Sequence, residues 1–193
     1  MINFCLFIIG LLIVGMTFKK YILTFHKTSW LDEYEEECKF VRRKPLKDNI
    51  YVNVDFDKLP VASDEECQVI YNKLIKYKDM PLLNLKDTTN KELKLTYGTG
   101  VIDEIAAGEK NYFDFMDILS QYGKILFDKG FIKQAQTALE LSLEYGCDLS
   151  KALILLGDIY NKENNTTGIE NLKSYIKINM KDSPFQNKIL KHI

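Results

Sequence analysis

The sequence contains few of the residues that most often carry out chemistry. It has only two histidines, His26 and His192, near opposite ends of the chain, and none of its four cysteines forms a Cys-x-x-Cys pair. No Ser/His/Asp arrangement and no Gly-x-Ser-x-Gly motif is present. Metal sites need clustered ligands, and nucleophilic catalysis needs a nucleophile beside a base. We therefore expect no enzymatic activity, no catalytic residue, no cofactor and no metal site.

The cysteines do not form the framework of a disulfide-rich domain. Cys5 lies in an apolar N-terminal run, which leaves Cys38, Cys67 and Cys147 as an odd set without regular spacing. Disulfide-rich secreted domains carry an even set at characteristic spacings. We expect these thiols to stay reduced and to serve mainly as packing residues, which fits a cytosolic setting.

An excess of charge of one sign is also lacking. The chain carries 26 lysines and arginines against 27 aspartates and glutamates, which gives a formal net charge of −1. Nucleic-acid binding needs a concentrated basic face, so we expect no nucleic-acid partner. The 193 residues are 46% apolar and 27% charged, as in an ordinary globular protein. The composition therefore leaves room for one soluble domain after the N-terminus.

An uncharged, mostly apolar run occupies residues 2–18. As a helix this run is roughly 25 Å long, at the short end of what spans a hydrocarbon core. A cleaved signal peptide would carry basic residues before the run and a small-x-small site after it, whereas here Lys19 and Lys20 come after it. We therefore predict a retained signal-anchor over residues 1–25, with residues 2–18 in the lipid bilayer.

The flanks of this run predict its orientation. Only the α-amino group precedes it, whereas several basic residues follow within the next part of the chain: Lys19, Lys20, Lys27, Arg42, Arg43 and Lys44. Cytoplasmic flanks of membrane helices carry the excess of Lys and Arg. The pattern therefore predicts a single-pass membrane protein whose C-terminal domain faces the cytoplasm.

Residues 26–60 are predicted to form a juxtamembrane helix and an extended linker. Apolar residues recur every three or four positions from Trp30 to Val41, which is the period of a helix, and Pro45 ends it. The segment Tyr51–Asp57 alternates instead, with Val52, Val54 and Phe56 on one side. Because it has no evident strand partner, we expect it to lie extended along the helical domain with its apolar side inward.

Two capping boxes predict the next two helices. Ser63 with Glu66 opens a helix that should run to about Lys78, and Thr89 with Glu92 opens another over residues 90–107. Gly98 and Gly100 lie inside the second pattern. Either these glycines permit the close approach of a neighbour, or the helix breaks there.

From residue 116 onward the chain contains two similar stretches, 116–149 and 150–182. Gly123 and Gly157 lie 34 residues apart, Leu119 is matched by Leu153, and Tyr122 is matched by Leu156. Three further pairs match if one residue is deleted from the turn: Ala135 with Gly168, Leu139 with Leu172 and Ser142 with Tyr175. This spacing resembles the tetratricopeptide repeat, whose small residues let two antiparallel helices cross closely. The resemblance implies an all-α fold: an N-terminal transmembrane helix followed by a helical-hairpin array, a fragment of an α-solenoid, over residues 61–193.

Local signals predict where these helices begin and end. The first helix of the array is expected from near Asn111 to about Asp128, with Gly130 ending it, and its return helix should end at Gly146. Ser150 is expected to cap the next helix. Ser183 followed by Pro184 should cap a final helix. Phe185, Ile189 and Ile193 are expected on one face of that helix.

In tetratricopeptide proteins the first helix of each hairpin lines a concave groove that holds a peptide. The resemblance implies ten groove residues here: Asp117, Ser120, Lys124, Phe127, Asp128, Lys151, Ile154, Asp158, Asn161 and Lys162. Alternatively, they are merely solvent-exposed polar positions. The expected function is that of a membrane-anchored scaffold or adaptor for a protein or peptide partner. The alternative is an exported or periplasmic accessory subunit of a larger membrane or enzyme complex.

Overall fold

The computed structural model describes residues 14–21, 44–47, 50–86 and 88–193. Within these ranges the chain forms helices and no β-sheet, so the predicted all-α class is confirmed. The described residues fall into two compact units. One contains residues 14–21, 44–45 and 88–102, and the other contains residues 46–47, 50–86 and 103–193.

Seven named α-helices and two short 3-10 helices account for the regular structure after residue 50. The α-helices are α1 (Glu65–Ile75), α2 (Asn90–Tyr97), α3 (Ile102–Asp128), α4 (Ile132–Glu144), α5 (Ser150–Lys162), α6 (Thr166–Asn179) and α7 (Gln186–His192). The 3-10 helices span Phe56–Lys58 and Thr99–Val101.

Helix α2 of the smaller unit begins at the predicted capping box. The Thr89 N–H donates to Glu92 Oε2 at 2.7 Å, and the Glu92 N–H donates to Thr89 Oγ1 at 3.2 Å. The helix ends at Gly98, whose φ of 83° is a conformation that favours glycine. Of the two alternatives for this region, the break is therefore observed, and the prediction of one helix over residues 90–107 was wrong.

Helix α3 starts earlier than expected. It runs from Ile102 to Asp128 without interruption for 27 residues, so the predicted start near Asn111 was wrong. Gly108 lies inside it, and a Cβ at this position would lie 2.6 Å from Leu83 Cγ. The Leu83 side chain thus occupies the space next to Gly108, and this glycine marks a close contact within the helix.

The extended segment lies along the helical core, as predicted. The Val52 N–H donates to the Leu82 carbonyl at 2.8 Å, and Tyr51 forms one isolated antiparallel bridge with Leu83. Phe56 is buried, and its ring contacts that of Phe115 with centroids 5.8 Å apart. The apolar side therefore faces inward, although the backbone pairing at Leu82–Leu83 was not anticipated.

Helix α1 is capped by Asp64 and not by the predicted Ser63. Asp64 Oδ1 accepts hydrogen bonds from the N–H groups of Glu66 and Cys67, and the Cys67 amide lowers the pKa of this carboxyl. The helix ends at Ile75, before the expected Lys78. Its inner face is formed by Cys67 and Leu74, which are buried, and by three partly buried side chains that pack against the core: Ile70, Tyr71 and Ile75.

Three turns in the second half of the chain share one backbone arrangement. Each contains a residue with positive φ, namely Gly130 (84°), Gly146 (90°) and Asn164 (53°). In each, an N–H beyond the helix donates back to its last turn: Phe131 to Leu126, Cys147 to Ser142 and Asn165 to Tyr160, at 2.8–2.9 Å. This is the Schellman motif, which satisfies carbonyls at a helix C-terminus. The predicted helix ends at Gly130 and Gly146 are confirmed.

Two helix starts differ from the prediction. Ser150 is the first residue of α5 and not its cap, because Leu149 holds the N-cap position and makes no side-chain hydrogen bond there. Helix α7 begins at Gln186, and Ser183 Oγ instead accepts from the Phe185 N–H at 3.3 Å in the preceding turn. Of the residues expected on one face of this helix, Ile189 is buried and Phe185 is 56% exposed.

The two matched glycines lie at corresponding contacts. A Cβ at Gly123 of α3 would lie 2.7 Å from Leu139 Cδ2 of α4, and one at Gly157 of α5 would lie 3.6 Å from Leu172 Cδ2 of α6. The Cβ at Gly157 would also overlap the Ile193 side chain. Leu139 and Leu172 are themselves a matched pair in the sequence, so each glycine faces the corresponding leucine of the next helix.

Most of the predicted anchor lies outside the described residues, as do the juxtamembrane helix before Lys44 and the cysteines Cys5 and Cys38. Residues 14–21 are helical and exposed. Among the helices that the structure describes, none has both the length and the apolar character needed to cross a bilayer. Cys67 and Cys147 are buried and free of a disulfide, as expected of packing residues.

Candidate partner-binding groove

Helices α3 and α5 line a groove of about 520 Å³. Eight of the ten predicted residues line it, together with two that were not predicted, Gln121 and Leu155. The eight are Asp117, Ser120, Lys124, Phe127, Asp128, Lys151, Ile154 and Asp158. Asn161 and Lys162 do not line the groove. Most of the residues that the resemblance assigned to a groove therefore lie on one surface, formed by α3 and α5.

Helical periodicity explains why these residues share a surface. Residues three and four apart lie on one face of a helix, and the lining positions of α5 follow this pattern from Lys151 through Ile154 to Asp158. On α3 the lining runs from residue 117 to residue 128, a rise of roughly 16 Å. The adjacent face of α3 carries buried residues such as Leu119 and Tyr122. The same helices therefore supply both the core and the groove.

Buried tyrosines position the two helices that carry the groove. The Tyr122 hydroxyl of α3 donates to the Pro60 carbonyl at 2.6 Å, and burial raises the pKa of Tyr122 to about 12. The Tyr160 hydroxyl of α5 donates to Glu140 Oε1 of α4 at 2.8 Å. Burial and this carboxylate raise the pKa of Tyr160 well above its usual range. Both hydroxyls thus remain donors that hold the helices to their neighbours.

The floor of the groove is mainly apolar. Phe127 comes from α3, and Ile154 and Leu155 come from α5; all three are partly buried and pack against the hydrophobic core on one side. Ser120 is buried beneath the surface of the groove. An apolar floor of this kind can gain binding free energy by releasing water to an apolar side chain.

Charged residues surround this floor, and some of them pair within one helix. Lys124 Nζ lies 2.6 Å from Asp128 Oδ2 one turn along α3. Asp117 Oδ2 accepts a hydrogen bond from Gln121 Nε2 at 2.7 Å. The Lys124–Asp128 pair has no net charge as a unit, whereas the partner of Asp117 is a neutral amide.

Asp158 connects the groove to the C-terminal helix. Its Oδ1 lies 3.1 Å from His192 Nε2 of α7, and both side chains are partly exposed. The sequence analysis assigned no role to His192, and no local signal indicates this contact because the two residues are 34 positions apart. The histidine was therefore missed as a neighbour of the groove.

The two predicted residues outside the groove lie at the end of α5. Asn161 is exposed, and Lys162 places its Nζ 4.5 Å from the centroid of the Phe127 ring. An ammonium over an aromatic face is attracted to the ring. Lys162 therefore contacts a groove residue without lining the groove, and the prediction for Asn161 was not matched by the geometry of this pocket.

Lys151 is the remaining cation of the groove. It is exposed, and among the residues that the structure describes no carboxylate forms an ion pair with it. The described residues also contain no cluster of three or more His, Cys, Asp or Glu side chains that could hold a metal ion. The arrangement as a whole presents an apolar floor with a charged border, which suits the binding of an amphipathic surface.

Three comparisons with known proteins found no match: no family model, no curated protein and no solved structure matches this chain. The resemblance to the tetratricopeptide repeat therefore stays a prediction. The function of the groove has to be argued from its own side chains and from the helices that position them.

Proposed function

We propose that this chain is a membrane-anchored adaptor that holds a protein or peptide partner in the groove between α3 and α5. One observation carries the proposal: eight of the ten residues that the resemblance assigns to partner binding line one groove. Its mainly apolar floor and charged border are typical of surfaces that bind amphipathic segments. The proposed role is binding and not catalysis.

We also propose a tetratricopeptide-like arrangement for the hairpins, with repeats over about 116–149 and 150–182. Two sets of contacts support it. Gly123 faces Leu139 and Gly157 faces Leu172. Gly130 and Asn164, again 34 residues apart, both adopt positive φ in the turn that follows the first helix of each pair. Stacked hairpins of this kind place their first helices side by side, which is where a groove between α3 and α5 would form.

We propose that residues 1–25 anchor the chain in a membrane. The support is the sequence itself, because residues 2–18 contain no charged side chain and basic residues follow them. The positive-inside rule then places the helical domain in the cytoplasm. A reporter fused to the C-terminus separates this proposal from an exported or periplasmic accessory subunit. Activity of a cytoplasm-dependent reporter is expected, and activity of a reporter that works only after export would favour the alternative.

Affinity capture with the full-length chain tests the adaptor role. We expect the tagged chain, extracted from its native membranes, to retain a specific protein that the double variant Ile154→Ala/Asp158→Ala retains less well. The control is Ile178→Ala/Glu170→Ala, which likewise removes one apolar and one acidic side chain, but from the exposed surface of α6 away from the groove. Equal retention by both double variants, or no specific protein with the unmodified chain, would contradict the proposal.

A further inference from the structure

We infer that the segment bound in this groove is amphipathic and basic: it places an apolar side chain on the groove floor and a Lys or Arg side chain near Asp117 or Asp158. The inference rests on the proposed function, because it specifies the chemistry of the partner that the same groove binds. The inference follows from two features of the groove: its apolar floor, and the charged side chains that have no opposite charge beside them within the chain.

The apolar half of the ligand follows from the floor. Phe127, Ile154 and Leu155 expose part of their surface to the groove while packing against the core behind it. Removing this surface from water favours an apolar side chain over a polar one. Because the α3 side of the groove is roughly 16 Å long, a short peptide segment suffices to cover it.

The basic half of the ligand follows from the unpaired charges. Lys124 Nζ lies 2.6 Å from Asp128 Oδ2. The two opposite charges offset each other, so neither attracts a ligand strongly. The partner of Asp117 is a neutral amide. Among the described residues Asp158 pairs with a histidine and not with a lysine or arginine. Asp117 and Asp158 come from different walls of the groove, so a ligand between α3 and α5 meets a carboxylate on each side.

The two other nearby lysines oppose this charge only in part. Lys162 lies over the Phe127 ring and does not line the groove. Lys151 does line it and has no ion-pair partner among the described residues. Two carboxylates against one lysine leave a net negative charge once the Lys124–Asp128 pair is set aside. Electrostatic complementarity therefore favours a basic partner over an acidic one.

Two labelled peptides test this inference with the full-length chain in nanodiscs of zwitterionic lipid. They share the same leucines and differ only in carrying lysines or glutamates at the flanking positions. By fluorescence anisotropy we expect the lysine peptide to bind about three- to tenfold more tightly, as two exposed ion pairs allow. The preference should shrink in about 1 M salt, where the screening length is only about 3 Å. Empty nanodiscs give the background.

Matched variants assign the preference to the groove. Asp117→Asn/Asp158→Asn should remove most of it while preserving side-chain shape, and the asparagine at position 158 can still hydrogen-bond to His192. Glu170→Gln/Asp182→Asn makes the same change in net charge away from the groove and should leave the preference intact. Circular dichroism of each variant confirms that the helices are retained.

The outcomes separate this inference from the proposed function. If Ile154→Gln weakens both peptides but the glutamate peptide binds as well as the lysine peptide or better, the groove binds peptides and the inference of a basic partner is wrong. The inference is also wrong if both double variants change the preference equally. If Ile154→Gln leaves the binding of both peptides unchanged, the groove is not the binding site, and the proposed function fails together with the inference.

Discussion

Replacing Gly123 with alanine probes the contact between α3 and α4, and the sign of its effect should depend on Leu139. The new Cβ would lie 2.7 Å from Leu139 Cδ2 and 2.8 Å from its Cγ. Leu139 is fully buried, and because protein interiors are close-packed its side chain can move aside only at a cost. Overpacking costs about 1–3 kcal/mol, and alanine gains roughly 1 kcal/mol over glycine within a helix. We expect a net destabilisation of about 1 kcal/mol from these two terms.

The same substitution should stabilise the chain when Leu139 is alanine. Leu139→Ala alone should cost about 2–5 kcal/mol because it removes a buried side chain and leaves a cavity. It also removes the atoms that the new Cβ would meet. In that background only the helix-propensity gain of roughly 1 kcal/mol remains for Gly123→Ala. The two positions should therefore be coupled by about 2 kcal/mol, within the range found for residues in contact.

Urea titration of the unmodified chain, both single variants and the double variant measures this coupling. All are used as full-length chains in identical nanodiscs, and circular dichroism follows the loss of helix. In thermal unfolding, each 1 kcal/mol should shift the midpoint by roughly 2–4 °C for a chain of this size. If Gly123→Ala has the same effect with leucine and with alanine at position 139, the two residues do not meet as described and the reasoning is refuted.

Three further predictions concern the turns, the small unit and the buried tyrosines. Gly130 has φ of 84°, and a Cβ added there would meet no neighbour. Gly130→Ala should therefore lower the free energy of unfolding by about 1 kcal/mol through backbone strain alone. In urea titration Gly130→Asn should lower it less, and equal losses would contradict this explanation. The hydrogen bond from the Thr89 N–H lowers the pKa of Glu92, so the stabilisation that this carboxylate gives α2 is present above the ordinary carboxyl pKa and is lost as the pH falls through the folded value. Because acid slows the intrinsic exchange of every amide, the readout is the protection factor. The protection factors of the α2 amides should fall on acidification, and Glu92→Gln should remove that fall; an unchanged fall would contradict the role of Glu92. Because burial raises the pKa of Tyr122 to about 12, its neutral form stabilises the fold fully below the ordinary tyrosine pKa, and this stabilisation is lost as the pH rises through about 12. Tyr122→Phe should lower stability at neutral pH, because it leaves the Pro60 carbonyl without its hydrogen-bond donor. It should also reduce the loss of helix at alkaline pH, followed by circular dichroism. An identical alkaline profile would contradict the role of the Tyr122 hydroxyl.

The sequence predicted the features that depend on local pattern. The 34-residue spacing matched Leu119 with Leu153 and Tyr122 with Leu156, and all four residues are buried. Gly130 and Gly146 ended helices as expected, because the positive φ of a Schellman turn favours glycine. The capping box of Thr89 and Glu92 also formed. For the helix ends and the capping box, a few neighbouring residues contain the whole signal.

The errors have two origins: a contact distant in sequence in one case, and a choice between adjacent residues at a helix start in two others. Helix α3 continues through Gly108, where Leu83 packs against it. Leu83 is 25 positions away in the sequence, so the residues around Gly108 do not indicate this contact. Helix α5 starts at Ser150, and Leu149 at the N-cap makes no side-chain hydrogen bond. Taking Ser150 as the N-cap therefore shifted the predicted start by one residue. Hydroxyl and carboxylate groups compete for the same amides, which is why Asp64 capped α1 in place of Ser63.

The candidate groove could be predicted in part for the same reason. Positions three and four apart on α3 and α5 share a face, so most lining residues follow from helical geometry once the two helices are taken as neighbours. Gln121 and Leu155 were missed, although they lie on those same faces. His192 could not be found from local sequence, because its contact with Asp158 depends on how α7 packs.

Photo-crosslinking in intact membranes tests the central claim most directly. A photoreactive amino acid would replace Ile154 on the groove floor or, as the matched control, exposed Ser174 on α6, and mass spectrometry would identify any captured protein. The adaptor account predicts a specific adduct from position 154 that is absent from position 174. The same adduct at both positions, or none from position 154 above background, would contradict it.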